Sequence, residues 1–407
     1  MPTLEMDNGR DLRERIEDTI RSLIEYCRRN DWAGYDPYDA LNSRLFEATP
    51  LSRSRVARLI FTQGLKRLPM DLRPLLGVQK TQNPKAIALF LAAFLKLANQ
   101  GFPGSESLVG IMAERLTDLR SRGTPYWCWG YSFPWQTRIV IVPRGAPNLV
   151  CTVFAADALL DAYERDPQPL YLEMAASAAE YIQKELYWTD GNGTDALSYP
   201  LPGLRYITHN ANFLGAALLC RVHRIRGGKA LLDTAIKVTR CSLAGQREDG
   251  SWGYSESSTQ QWSDNFHTGY NLCALRSISR NAGTEEFEGP IRRGLEYYRS
   301  RFFREDGAPR YFHDRTYPID IHSVAQSILT LLTFRDLDER NIQLAHAVYR
   351  WAMKHMRDDE GYFYFQVQPF YKNRIPFMRW SQAWMLLALS MLLEQCSHVA
   401  VCAHGDR

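Results

Sequence analysis

Residues 246–254 read QREDGSWGY, and FHTGYNLCAL follows at 266–275. An Asp-Gly turn flanked by aromatics, set ahead of an apolar helix with a polar head, would alone be a surface turn. It returns. REDGAPRYF (304–312) precedes DIHSVAQSILTLL (320–332), and RDDEGYFYF (357–365) precedes RWSQAWMLLALSML (379–392). Together with WTDGNG, the turn aspartates fall at 190, 249, 306 and 359, at intervals of 59, 57 and 53. A period of this size marks a repeat architecture, in which each unit buries its apolar face only against its neighbours.

The helices keep the same step. Apolar runs begin at 148, 210, 265, 320 and 379, and PKAIALFLAAFLKLA (84–98) has the same character without the polar head. Such runs, apolar on nearly every side, suit helices covered on both faces. Amphipathic segments lie between them at 52–66, 105–121, 169–187, 228–244, 286–302 and 339–356. In the fifth, Ile291, Leu295, Tyr298 and Phe302 share one stripe opposite arginines. Six buried helices alternating with six half-exposed ones predict an all-α fold, an (α/α)6 toroid over 45–397. Residues 1–44 would supply an N-terminal helix and extension, with 10–30 as one more outer helix ahead of the ring, and 398–407 a tail. In such a ring the inner helices run the same way. Their N-termini gather at one mouth, where the summed dipoles favour an anion. Asp-Gly favours tight hairpin turns, so short β-hairpins are expected around that mouth.

Composition narrows the function. The chain has 407 residues, 45% of them hydrophobic, and its 49 basic against 45 acidic residues give a net charge of only +4. No nucleic-acid partner follows from that balance, and the arginines of 52–66 read as a solvated face. No apolar run is long enough for a membrane span. The N-terminal stretch lacks the apolar core of a signal peptide. The eight cysteines show no CxxC, and Cys151, Cys220, Cys273 and Cys396 fall in apolar helical runs. A reduced, cytoplasmic protein is the expectation. No phosphate-binding glycine loop, serine elbow or metal-cluster spacing appears, so neither cofactor nor metal is expected.

QREDGSWGY with DNFHTGYNL resembles the α/α-toroid superfamily of squalene cyclase-like and protein prenyltransferase-like repeats. MRWSQAWMLLALSMLL is closer to the closing inner helix of sugar-acting toroids, namely unsaturated glucuronyl hydrolases and the helical domain of glucuronyl C5-epimerases. The span from about 80 to 395 is also similar to proteins encoded with bacterial and archaeal surface-polysaccharide genes. The cyclases' DxDD-type acid motif is missing. Cys128 and His267, which would stand for the prenyltransferase zinc ligands, are 139 residues apart, with no aspartate beside Cys128. The resemblance therefore implies a carbohydrate-active enzyme of polysaccharide biosynthesis, with an acidic oligosaccharide or glycoconjugate as partner.

The polar heads of the inner helices are the candidate site: Asn148, His209, Asn210, Asp264, His267, Tyr270, Asp320, His322, Gln326, Arg379 and Gln382. Asn148, Asn210, Asp264 and Asp320 have N-capping as an alternative role. Abstraction of a proton next to a uronate carboxylate needs a base of near-neutral pKa and donors that neutralise the carboxylate. His267, Tyr270, His322 and His209 could move protons, and Asn210, Gln382 and Arg379 could hold the acid. Asp264 and Tyr270, three residues either side of His267, would form a relay with it. Epimerisation or elimination would follow. Glycoside hydrolysis through Asp264 and Asp320, an isoprenoid-handling toroid and a noncatalytic binding partner are the alternatives. Trp129, Trp135, Trp252, Tyr254 and Tyr311 are expected to stack on sugar rings, and Arg374 to read an acidic group.

Overall fold

The computed structural model describes residues 9–402. The helices are α1 (Gly9–Arg29), α2 (Arg44–Glu47), α3 (Arg55–Arg67), α4 (Pro84–Asn99), α5 (Ser105–Asp118), α6 (Leu149–Arg165) and α7 (Pro169–Tyr181). They continue with α8 (His209–Arg226), α9 (Lys229–Leu243), α10 (Asn265–Ala282), α11 (Glu288–Arg301), α12 (Ile321–Thr333), α13 (Arg340–His355) and α14 (Trp384–Cys402). Inner helices α4, α6, α8, α10, α12 and α14 each pack on the next, and α14 returns to α4, closing the ring. Outer helices α5, α7, α9, α11 and α13 pair with the inner helices before them. The architecture is the α/α toroid.

One expectation is corrected. The sixth outer position, against α14, is filled by α1 and not by 52–66. The helix read as preceding the ring therefore belongs to it, and α3 packs instead on the helical turns 39–42 and 50–53 and on a short strand at 135–136. We propose that the ring begins at α1, not at residue 45. At the other end α14 runs through the expected boundary at 397, and 403–407 lie outside the described residues.

The Asp-Gly turns show what the repeat is for. Gly250, Gly307 and Gly361 have φ of 89, 85 and 93°, a left-handed region that glycine enters without cost from a side chain. A Cβ at Gly250 would lie 2.3 Å from the Arg293 carbonyl oxygen of α11. At Gly307 it would lie 2.8 Å from Ala347 of α13, and at Gly361 2.8 Å from the Ser22 carbonyl oxygen of α1. Each turn presses its glycine onto the backbone of the next outer helix, and the third clamps α1. Single antiparallel bridges flank two of these turns, Phe303 with Pro309 and Arg357 with Phe363, and the fourth Asp-Gly, 190–191, turns a longer hairpin. The hairpins are β1–β2 (Trp135–Gln136 with Ile141–Val142) and β3–β4 (Tyr187–Thr189 with Asp195–Leu197). A three-stranded sheet joins β5 (Ile319–Asp320), β6 (Gln366–Val367) and β7 (Lys372–Asn373).

Candidate active site

A cavity of about 810 Å³ opens at the N-terminal ends of the inner helices. All six helices contribute to it: Lys85 from α4, Val150 from α6, Asn210 from α8, Phe266, His267 and Tyr270 from α10, His322 from α12, and Arg379 and Trp380 from the π-helical turn that leads into α14. Among the described residues that line it, thirteen are aromatic, seven of them tyrosines, and none is an aspartate or glutamate.

The sequence of α10 builds the first half of the site. Asp264 caps the helix, its Oδ1 accepting the backbone N–H of His267 at 2.9 Å. Its Oδ2 accepts from His267 Nδ1 at 2.8 Å. A carboxylate on Nδ1 fixes the tautomer with the proton there, leaving the Nε2 lone pair uncommitted on a ring that lines the cavity. Asp264 is wholly buried, so the pair is held in a low dielectric. The imidazole rests on Phe266 (4.2 Å between centroids) and meets the edge of Tyr254 (4.8 Å).

The second half comes from α12. Asp320 caps it through the N–H of His322 at 2.8 Å, and also accepts from Gln366 Nε2 and Trp380 Nε1 at 2.6 and 2.9 Å. Burial pushes the Asp320 carboxyl above its usual range against these donors. His322 Nε2 lies 2.5 Å from the Tyr270 hydroxyl. The ring is stacked on Phe266 at 4.6 Å, and its buried Nδ1 has no partner among the described residues. Burial first, then the charges of Lys85 and Arg379, hold this imidazole well below its ordinary pKa, so it is neutral. Burial likewise pushes Tyr270 well above the usual phenol range. Both imidazoles thus flank Phe266. Tyr270 pairs with His322, which corrects the relay expected between Tyr270 and His267.

Lys85 was not anticipated. It stands in the first turn of α4, after the N-cap Asn83 and Pro84, and is buried. Its Nζ lies 4.0, 5.3 and 5.1 Å from the ring centroids of Phe154, Tyr270 and Trp384. Among the described residues it forms no ion pair. Burial, aided by Arg379, lowers its pKa well below the usual lysine value. A lysine at a helix N-terminus opposes the helix dipole, and that conflict is the signal by which PKAIALF could have betrayed it.

Other expected residues separate into those that reach the cavity and those that do not. Asn210, Trp135, Tyr254 and Tyr311 line it, and the Asn210 Oδ1 is buried without a partner. Arg379 lines it too, but its Nε and Nη2 donate to Asp36 at 2.6 and 2.8 Å. Gln382 is turned into the fold, exchanging hydrogen bonds with the Phe363 backbone at 2.9 Å. Gln326 donates to Thr330 Oγ1, and Asn148 caps α6. His209 is buried against Glu256 at 3.0 Å, outside the cavity lining. Trp129 and Trp252 are buried and give their indole N–H groups to the carbonyls of Leu116 and Ser242. Arg374 is exposed, with its guanidinium 5.2 Å from the Tyr364 ring centroid. Trp252 borders, with Asp264, His267 and Asn271, a second pocket of about 10 Å³ behind the large cavity.

No protein-family model matches the sequence, and no curated protein matches it either. Solved structures do match in fold. A possible member of the GH105 family from Salmonella enterica superposes with a TM-score of 0.62 at 13% identity, over 97% of this chain and 96% of that one. Cellobiose 2-epimerase from Bacillus thermoamylovorans gives 0.61 at 11%, over 78% and 90%. The GH76 α-mannanase BT2949 of Bacteroides thetaiotaomicron gives 0.58 at 12%, over 79% and 87%. At these identities the likeness establishes the α/α-toroid fold, shared with proteins named for sugar chemistry.

Proposed function

We propose that the protein is a carbohydrate-active enzyme that moves a proton at a carbon atom next to a carboxylate, on an acidic, uronate-type sugar. The observation that carries this reading is the cavity lining: two imidazoles, one oriented by Asp264 and one bonded to Tyr270, with no carboxylate beside them in the lining. His267 Nε2 would take the proton as the C–H electron pair passes into the acyl group, and Asp264 would stabilise the imidazolium so formed. Return of a proton by the Tyr270–His322 pair gives an epimer, and loss of the substituent one carbon further gives an unsaturated product. The developing enolate needs a cation. Arg379 is committed to Asp36 and Arg138 is exposed and held on Thr259, so Lys85 takes that role. The fold shared with a cellobiose 2-epimerase and an α-mannanase supports the carbohydrate class.

Two-carboxylate hydrolysis, although two of the fold neighbours are named for GH families, is disfavoured by the lining, because Asp264 holds the His267 ring, Asp320 caps α12, and neither lines the cavity. The isoprenoid reading is the second one, favoured by the same aromatic lining without acids. Seven tyrosines, two histidines and a lysine weigh against a purely apolar ligand. Incubation with a panel of acidic and neutral glycans in heavy water separates the outcomes. Deuterium at C5 marks epimerisation, an unsaturated uronate marks elimination, and a new reducing end without unsaturation marks hydrolysis. Reaction of neutral glycans only, or of none while a prenyl ligand binds, would overturn the proposal.

A further inference from the structure

Large apolar side chains exposed to solvent are not scattered over this molecule. They lie along 45–75, in the β1–β2 hairpin and in the β6–β7 turn, and among the described residues only Ile111 and Leu170 stand elsewhere. These three segments adjoin. Arg58 Nε of α3 donates to Gln136 Oε1 of β1 at 2.8 Å, and Asn373 Nδ2 of β7 donates to the Leu68 carbonyl at 3.0 Å. The face they form is the outer surface of the cavity's rim. Val56, Leu59, Ile60 and Gln63 share one stripe of α3: Leu59 and Gln63 line the cavity, and Val56 and Ile60 beside them stand in solvent at its edge. Ile60 is 68% exposed, Leu75 76% and Phe370, at the tip of the β6–β7 turn, 97%. A contiguous apolar face of this kind marks an interaction surface.

Charge identifies what covers it. Residues 44–80 hold eight lysines and arginines; Arg73 is buried in an ion pair with Asp39, and the other seven stand against two acids, Glu47 and Asp71, in a chain whose net charge is +4. Arg53, Arg55 and Arg67 are exposed between the exposed apolar residues. Two such faces brought together would oppose like charges, which disfavours a second copy. An anionic bilayer satisfies both features at once, because apolar side chains enter the acyl boundary while cations meet the headgroup phosphates. No described helix is long and apolar enough to cross the membrane, so contact would be at its surface. We propose that this face docks the protein on an anionic lipid surface, with the rim of the cavity turned toward the bilayer. The arginines read from sequence as a solvated face become its electrostatic half. The inference does not depend on the chemistry inside the cavity.

The test is co-sedimentation of the full chain with phosphatidylcholine vesicles, with and without phosphatidylglycerol. Binding to the anionic vesicles, weakening with salt and absent from neutral ones, is expected. Arg55→Gln with Arg67→Gln should reduce partitioning roughly 30-fold, from the typical contribution of a cation near an anionic surface. Ile60→Ser with Phe370→Ser should also reduce it, and neither pair should shift the thermal melt, since all four side chains are exposed. Failure to bind anionic vesicles, equal binding to neutral ones, or binding unaffected by either pair would overturn the proposal. So would a concentration-dependent dimer in sedimentation velocity that the same substitutions abolish, since a second copy would then own the face.

Discussion

Replacing Asp264 by asparagine changes one atom and separates two roles. Asn is as good an N-cap as Asp, so the bond to the His267 N–H, 2.9 Å in the parent, survives and α10 keeps its start. The other atom becomes an NH₂ donor facing His267 Nδ1 across the present 2.8 Å. That contact is satisfied only if Nδ1 becomes an acceptor, which moves the ring proton to Nε2 and removes the lone pair from the cavity side. Loss of a positioned base typically costs about 100- to 10,000-fold in rate, while the retained cap limits the stability change to a few tenths of a kcal/mol. Asp264→Ala, by contrast, loses the cap as well and should cost about 1–2 kcal/mol more. Nitrogen-15 NMR of the labelled histidines reads the tautomer directly, and turnover on a responsive acidic glycan reads the rate. A parent His267 already protonated on Nε2, or unchanged turnover in the Asp264→Asn variant, would refute the reasoning.

Three further outcomes follow from the packing. Lys85→Met should raise the melting temperature at neutral pH while weakening acidic ligands. The folded lysine pKa is depressed below the unfolded value near 10.4, so between the two the unfolded chain binds more protons and parent stability rises with pH. That destabilisation is complete below the folded pKa and is lost as pH rises, so the advantage of the variant should shrink as pH approaches about 10.4. Gly361→Ala should destabilise by about 1–3 kcal/mol, because φ is +93° and the new Cβ would meet the Ser22 carbonyl of α1. Gly193→Ala, at φ +99° with nothing within 4 Å, should cost less in the same denaturation assay. Asp36→Asn should cost about 3–5 kcal/mol by leaving Arg379 buried without its bidentate partner.

The period of the turns made the ring legible, because each repeat is local and its helices are apolar in a regular step. The closing pair was not local. α1 precedes its partner α14 by most of the chain, and nothing in 10–30 says which inner helix it will cover. Asp264 with His267 was readable for the opposite reason, since residues three apart on one helical turn share a face. Distant partners were unreadable. Asp36 and Arg379 are 343 positions apart, and their pairing removes the donor expected for substrate. Trp129 and Trp252 look like sugar platforms in sequence, yet each found a backbone carbonyl and a place in the core. Lys85 hid inside one of the most apolar inner helices, where a sequence pattern predicts only packing.

The central claim is that His267 carries a proton to and from a sugar carbon. The most direct measurement is washout of the C5 deuterium from a C5-deuterated acidic glycan into ordinary water, followed by NMR for the parent and for His267→Ala at matched thermal stability. The account predicts loss of the label with the parent and a loss at least about 100-fold slower with the variant. Equal washout by both proteins, or conversion of the glycan with the C5 label fully retained, would contradict it.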